Sequence, residues 1–519
     1  MSPLRDLLVA VLCGGGGRDD SHSGKSQATG SPAEQADNSQ GGKNQDFTSE
    51  KGERVRCSEP TLPEDILYHI HSLLPLRDAA RAACVSHVFL NSWRCRPNMY
   101  FSTKTLGLKP CSYGDDKTPR DFTNIVYHIL KKHSGIGLKT FQLEMFGCYK
   151  INSCHLDNWL QLALTLGVEE LILATASMTS KYNFPLSLLS GKCGNSIRYL
   201  RLSSCVFRPT VRLGCFGSLK RLHLYFVSIT GDELGCLLRV SVALEQLELA
   251  YCEEIISLNI PHVLLRLSCL KVSACHNLQV IKSEAPKLSS LCFEWFHHQM
   301  HISLGEALHV KNLEILCFRA FYYVQLPTIV PNLEALTIDS VCQMTNMPSA
   351  HNKFCQLKYL NICVSGETHD PVYDYLSLAS FLDACPSLET FILRIHVPET
   401  FVQHSLFTGD VSHLHQMPEQ RYVKLKCVRI TGFYPAKSLL ELVSHILETA
   451  TSLECLTLGT TYCSCRRRRS DPAKCYLVAI KRHFKGKVPY TARVFGVPGQ
   501  VAKVLVRGPE HLSIVMRPR

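Results

Sequence analysis

The 519-residue sequence predicts an α/β fold: an N-terminal module of three short helices, then an irregular solenoid whose curved parallel sheet returns through helices or loops. Three observations predict it. The spacing apolar-x-x-apolar-x-apolar recurs thirteen times between Leu138 and Leu458. Central positions of the regular copies lie 20 to 25 residues apart, the range of strand-plus-return repeats. A helical segment, TLPEDILYHIHSLLPLRDAARAACVSHVFLNSWR from Thr61 to Arg94, precedes the array and is too small to form a core of its own.

Residues 1–57 come first. From residue 14 they are rich in Gly, Ser, Gln, Asn, Asp and Lys and hold almost no large apolar side chains, so they cannot offset the entropy of ordering and predict a disordered arm. Residues 4–13 (LRDLLVAVLC) have the apolarity of a signal peptide. Asp6 interrupts them, however, and Gly14 to Gly17 followed by Arg18-Asp19-Asp20 is a poor cleavage region, so secretion is not expected.

Residues 58–101 hold the helical module. Thr61 with Glu64 forms a T-x-x-E capping box, with Pro63 in the first turn, where its missing N–H costs nothing. Ile66, Leu67, Ile70, Leu73 and Leu74 follow at helical spacing, and Pro75 ends the run because it pushes the residue before it out of the α region. A second helix carries Leu76, Ala79, Ala80 and Ala83, and a third carries Val85, Phe89 and Trp93. Three such helices bury too little surface to fold robustly alone, which leaves a cap on a larger domain or a module completed by a partner.

The stretch 102–137 reads as a linker and an N-terminal capping helix, Asp121 to His133, with Phe122, Ile125, Val126, Ile129 and Leu130 on one face. The array then occupies 138–460. Its copies include Leu219-Leu222-Leu224, Leu244-Leu247-Leu249, Leu313-Leu316-Phe318 and Leu453-Leu456-Leu458. Cys205, Cys252 and Cys275 stand three residues past the last apolar position, the Asn/Cys slot of leucine-rich repeats. Gly231 to Leu238, Leu376 to Ala384 and Lys437 to Ala450 have the spacing of helical returns. No repeat of this kind is stable alone, since each buries its apolar face only against its neighbours.

On such an array the intervening strand positions face the concave side. They include Arg201, His223, Tyr225, Glu248, Glu294, Asp339 and Arg394, the candidates for target contact. Their mixed chemistry suits a protein surface and offers no single-sign groove for nucleic acid.

Residues 461–519 form a basic C-terminal segment, partly a cap and partly disordered. From Arg466 onward fourteen Lys or Arg face only Asp471 and Glu510, which accounts for the whole net charge of +12. Arg466, Arg467, Arg468 and Arg469 form the one basic run, a solvated loop or a nuclear localisation signal, with no interleaved aromatics to suggest nucleic-acid stacking.

Composition narrows the function classes. No apolar run reaches the ~18 residues needed to cross a bilayer. The 25 cysteines, scattered through apolar repeats of a long chain, read as reduced small hydrophobes rather than a disulfide framework, which implies cytoplasm or nucleus. Cys463, Cys465 and Cys475 with His483 do not match structural zinc spacings, and His297, His298 and His301 lack a nearby Asp or Cys. Neither a G-x-x-x-x-G-K-[ST] nor an H-E-x-x-H motif is present, and Gly14 to Gly17 lies outside any strand-to-helix context. No metal, cofactor or catalytic residue is expected.

Leu62-Pro63, Pro75-Leu76, Val85-Ser86 and Trp93-Arg94 fall at the signature positions of the F-box, which the segment closely resembles. Where many F-boxes read V-S-x-x-W, this chain has Phe89, and its tryptophan follows four residues later. Together with SHVFLNSWRCRPN, KHSGIGLKTFQLE, GNSIRYLRLSSC and ALEQLELAYC, the chain resembles plant F-box proteins with irregular leucine-rich repeats, from about Cys57 to Val497. The resemblance implies a non-catalytic substrate receptor of an SCF ubiquitin ligase. Its F-box would bind a Skp-type adaptor, and through it cullin and RING subunits, by way of Leu62, Pro63, Ile66, Pro75, Leu76, Val85 and Trp93. The repeats would bind an unidentified target protein. The alternative is a repeat scaffold with no ligase role, in which the helices only cap the solenoid; burial of Leu62, Pro75, Leu76 and Val85 against the repeats would favour it.

Overall fold

Prolines open the first two helices of the N-terminal module. In the computed structural model helix α1 spans Glu64–Leu73, and the Pro63 carbonyl accepts its first bond, from the Leu67 N–H at 3.1 Å. Residues 62–109, 117–148, 151–175, 181–189, 192–210, 216–295, 300–305, 309–317, 323–341, 344, 352–365, 373–396, 421–459, 492–494 and 502–506 are described. The expectations for the 1–57 arm, Thr61, His297, His298, the Arg466–Arg469 run, and Cys463, Cys465, Cys475 and His483 lie outside them.

Pro63 is itself the N-cap, two residues past the Thr61 start that the capping box predicts, and no side chain caps the helix. Glu64 and Asp65 in the first turn complement the helix dipole instead. The second helix, α2 (Leu76–Val85), starts on Pro75, and α3 (His87–Arg94) starts on Ser86, whose hydroxyl accepts from the Phe89 N–H. These helices pack mainly on one another.

Their centre holds an unexpected histidine. His71 is fully buried, with Nε2 2.9 Å from the Ala79 carbonyl and Nδ1 2.9 Å from the Ser92 hydroxyl. Its ring stacks on Phe89 at 5.3 Å and meets the edge of Trp93. Arg96 then ties the module to the start of the repeats. Its buried guanidinium donates to the His71, Ser72 and Leu74 carbonyls at the end of α1, while its own carbonyl lies 2.9 Å from His133 Nε2. The orphan carbonyls of a helix terminus thereby gain a cation.

The main sheet begins immediately afterwards, at β1 (Asn98–Phe101), inside the 58–101 segment assigned to the module. It pairs in parallel with β2 (Thr140–Glu144), setting Met99 against Phe141. The strands continue as β3 (Glu170–Ala174), β4 (Tyr199–Ser203), β5 (Arg221–Tyr225), β6 (Gln246–Ala250), β7 (Cys269–Ser273) and β8 (Ser290–Trp295). Then come β9 (Asn312–Cys317), β10 (Ala335–Ser340), β11 (Tyr359–Ser365), β12 (Thr390–His396), β13 (Cys427–Thr431) and β14 (Cys455–Gly459). All fourteen lie parallel and in chain order. Ala492–Val494 (β15) and Ala502–Val506 (β16) close the edge antiparallel, with β16 against β14.

One row of buried side chains crosses the whole sheet. It includes Phe141, Leu171, Leu200, Leu222, Leu247, Leu270, Leu291, Leu313, Leu336, Leu360, Phe391, Val428 and Leu456. The repeats after Leu360 therefore stack in register with those before it. One register differs from the sequence expectation: Leu313, not Leu316, is the central residue of β9, because Leu313 pairs with Leu291 and Leu336. The segment VKNLEILCF contains two overlapping apolar spacings, and the one built on Val310, Leu313 and Ile315 is the one that is buried.

The helix α4 (Lys117–Lys132) buries the five predicted residues Phe122, Ile125, Val126, Ile129 and Leu130. Because β1 precedes it, α4 is the return of the first repeat and not a terminal cap. It meets α5 (Ser153–Thr165) through Phe122 and Trp159, 6.3 Å apart. Longer returns leave room for longer helices, since a helix rises ~1.5 Å per residue against ~3.3 Å for a strand and needs about twice the residues to cover the same span. Length alone does not decide, for the step from Leu313 to Leu336 carries the short helical turn Leu326–Ile329. The 25-residue step from Leu222 to Leu247 accommodates α6 (Gly231–Val240), opened by a capping box between Thr230 and Glu233. The shorter steps beyond it use the extended segments Ser257–Ile260, Val280–Ser283 and His301–Ser303, which form a small sheet of their own. Near the end, α7 (Lys437–Thr449) is buried along most of its length.

Two details recur at the strand ends. Cys205, Cys252 and Cys275 fill their predicted slot and are buried. The residue ahead of the slot turns the chain through left-handed backbone at Ser204 (φ 59°), Phe226 (54°), Tyr251 (54°) and Ala274 (48°). At the opposite rim, two residues before each central position, charges pair from repeat to repeat. Examples are Glu169 with Arg198 (3.6 Å), Lys220 with Glu245 (2.9 Å), Glu334 with both Lys311 (2.8 Å) and Lys358 (3.7 Å), and Glu389 with Lys426 (3.1 Å).

Candidate functional site

Two surfaces carry the candidate residues. The first is an apolar stripe on the helical module. Ile66, Ile70 and Leu73 stand at helical spacing along one side of α1, with Leu62 just ahead of its start, and all are exposed, Leu73 by 72%. Val85, at the end of α2, is 85% exposed, and Pro63 and Pro75 are exposed as well. Five of the seven predicted adaptor residues, Leu62, Pro63, Ile66, Pro75 and Val85, are thus open to solvent.

The other two are not surface residues. Leu76 and Trp93 are buried, because α2 turns its Leu76, Ala79, Ala80 and Ala83 face inward and Trp93 packs against His71. Phe89 is half-buried against the same imidazole. Burial holds the His71 pKa below its ordinary value, outweighing the bond to the Ala79 carbonyl, and the nearby Arg96 charge acts in the same direction. Neutral His71 therefore belongs to the module's interior.

The second surface is the concave face of β3 to β7. Adjacent strands align Arg201, His223, Glu248 and Lys271 in one row, and Tyr199 and Arg221 in the next. Arg201 lies over the Tyr225 ring at 4.9 Å, and Arg221 over the Tyr199 ring at 4.3 Å. The Tyr199 hydroxyl is 3.1 Å from His223 Nδ1, Arg221 donates to Glu170 at 3.0 Å, and Glu248 pairs with Lys271 at 3.1 Å.

The charges order this patch. Burial lowers the His223 pKa, and Arg201, Arg221 and Lys271 add to that effect against the opposing pull of Glu248. Burial raises the Glu248 carboxyl, but the Tyr225 hydrogen bond and the Lys271 ammonium outweigh it and keep it ionised. Burial and the Glu248 carboxylate push the Tyr225 phenol well above its usual range. The result is a mixed-charge, aromatic surface knit together by cation–π contacts, hydrogen bonds and ion pairs.

Of the seven predicted target residues, Arg201, His223, Tyr225 and Glu248 come together here. Glu294 does not join them: its carboxylate accepts from the Ala274 N–H and supports a turn. Asp339 and Arg394 lie farther along, two strands apart with Cys363 between them in the same row. Among the described residues, the buried Arg394 Nε and Asn361 Oδ1 have no hydrogen-bond partner. Tyr199, Arg221 and Glu170 were not among the sequence candidates. Strand alternation signals them, since the residue just before each central position shares a face with the residue just after it.

A fourteen-strand parallel solenoid fronted by a short helical module defines a leucine-rich-repeat protein of the F-box type. Residues 129–494 match the family described as At1g61320/AtMIF1, LRR domain, and the chain belongs to that family, among plant F-box/leucine-rich-repeat proteins. It is 25% identical over 455 residues to the Arabidopsis thaliana FBD-associated F-box protein At1g66310, covering 81% of this chain and 92% of that protein. It is 22% identical to the putative FBD-associated F-box protein At1g61330 of the same plant, over 76% of this chain and 90% of that protein. With the Arabidopsis F-box/FBD/LRR-repeat protein At4g00160 it shares 29% identity over 175 residues, 33% of this chain and 36% of that protein.

Proposed function

We propose that the chain is the substrate-recognition subunit of an SCF-type ubiquitin ligase, docking a Skp-type adaptor through its helical module and a target protein through its repeats. The single observation that carries this reading is the exposed stripe of Leu62, Ile66, Ile70 and Leu73. Stable monomers rarely leave such apolar side chains contiguous in water, and rims of this kind mark interaction sites. The scaffold alternative would bury Leu62, Pro75, Leu76 and Val85 together, yet only Leu76 is buried.

On this reading the chain performs no chemistry of its own. Holding a target lysine near a charged conjugating enzyme turns a bimolecular encounter into an effectively intramolecular step. Free cysteines throughout the described array fit a reducing cytoplasm or nucleus. Co-expression with a Skp-type adaptor followed by size-exclusion chromatography tests the proposal. A stoichiometric complex is expected, and separate elution of two folded proteins would refute it.

A further inference from the structure

Phe226 and Tyr251 occupy the strand-end turn in successive repeats, with rings parallel at 4.2 Å and 7°. Both are in left-handed backbone, φ 54°, where Gly or Asn sits without strain and a bulky aromatic residue does not. The equivalent residues on either side are small, Ser204 and Ala274, so the turn itself has no need of a ring. Neither ring serves the core, for Phe226 is 49% and Tyr251 43% exposed. The fold thus bears backbone strain at two adjacent positions while leaving both aromatic side chains in water. Strain of this kind gathers at functional sites.

The surroundings are acidic. Glu253 and Glu254 directly follow Cys252, and Asp232 and Glu233 open α6 behind Phe226. The nearby cations are already engaged: Arg208 bridges Glu233 at 2.9 Å and Glu254 at 2.7 Å, and Lys181 donates to the Ser228 hydroxyl at 2.8 Å. Glu253 lies 2.6 Å from His276 Nδ1, and that imidazole continues the column 6.5 Å from Tyr251. Aromatic faces carry negative electrostatic potential; Arg208 offsets Glu233 and Glu254, which leaves Asp232 and Glu253 to deepen it, so this rim favours a cation. A planar guanidinium stacks on such rings where a compact ammonium does not.

We infer that the Phe226–Tyr251 stack is a docking point for an arginine side chain in an extended segment of the target protein. This rests on the reading of the array as a target-binding surface. An outward face of the stack would hold the guanidinium plane, and the Glu253 carboxylate oxygen not engaged by His276 would accept its N–H groups.

The test uses the full chain and a fluorescein-labelled peptide bearing one arginine flanked by glycine and leucine, with matched lysine and citrulline peptides, followed by fluorescence anisotropy. The arginine peptide should bind at least fivefold more tightly than either control. Phe226→Ser with Tyr251→Ser should weaken it about tenfold or more, and Glu253→Gln a few-fold. Equal binding of the citrulline peptide, no binding at all, or an unaffected double variant would overturn the assignment. Phe226→Asn, compatible with left-handed backbone, guards against misfolding: its melting temperature should equal or exceed that of the wild type, and a clear drop would mean the ring serves the fold. Adaptor capture by the same preparations is read separately, so loss of the ligase reading and loss of this one are distinguishable.

Discussion

Replacing Leu73 and Val85 with alanine separates adaptor binding from folding. Both are largely in solvent, 72% and 85% exposed, and neither supports the module's interior. Fully burying a Leu or Val side chain is worth about 1.5–3 kcal/mol, so in proportion to exposure the pair would lose about 2.4–4.7 kcal/mol of binding. At ~1.4 kcal/mol per decade that is roughly 50- to 2,000-fold in Kd. Leu76→Ala is the contrasting variant. Leu76 is 7% exposed, so its truncation should cost about 2–5 kcal/mol of stability in the module and reduce binding only through unfolding. Calorimetric titration against a purified Skp-type adaptor reads the first quantity, and hydrogen exchange of α1 to α3 reads the second. If Leu73→Ala/Val85→Ala bound the adaptor within twofold of wild type, or lost protection in α1, the exposed-stripe argument would be wrong.

Other contacts lead to three more expected outcomes. His71 is held below its ordinary pKa, so the unfolded chain takes up its proton more readily than the folded one; its contribution to stability is complete above about pH 6.5 and declines as the pH falls below that value. Hydrogen exchange of α1 and α2, corrected for intrinsic rates, should accelerate between pH 7.5 and 5.5, and greater protection at the lower pH would contradict the buried neutral imidazole. Thr230→Ala removes the capping box of α6 and should cost about 1 kcal/mol, visible as a lower urea midpoint with an unchanged slope. Gly432→Ala should be more severe, about 2 kcal/mol or more, because Gly432 has φ +76° and a Cβ there would collide with the Ile395 carbonyl; a melting temperature equal to wild type would refute this.

The array was legible because burial imposes a period, and Leu200, Leu222, Leu247 and Leu270 announce it in any reading frame. Legibility failed where two frames satisfied the same apolar rule, as around Leu313, and only pairing with β8 and β10 resolved it. The strand β1 was missed because Asn98-Met99-Tyr100-Phe101 follows a proline and has no full copy of the spacing before it. On the helical module the signature residues were visible as a set, but not their division. Leu76 and Trp93 turn inward because His71, Ser92 and Arg96 form a polar centre that needs apolar cover, and a buried guanidinium bonded to helix-end carbonyls leaves no sequence pattern. On the concave face the candidates were the residues following each central leucine, while the cation–π contacts depend equally on Tyr199 and Arg221, which precede it.

The paired charges along the strand-start rim bear on how such an array can change in length. From Lys311 the signs run Lys311, Glu334, Lys358, Glu389, Lys426, Glu454, each donating its backbone N–H to the carbonyl of the one before. Excising a single repeat from this stretch would bring two lysines or two glutamates side by side, whereas excising two neighbours would leave every contact between opposite signs. The rim therefore has a parity, and duplication or loss in even numbers is the electrostatically quiet route by which an ancestor of this half of the solenoid could lengthen or shorten.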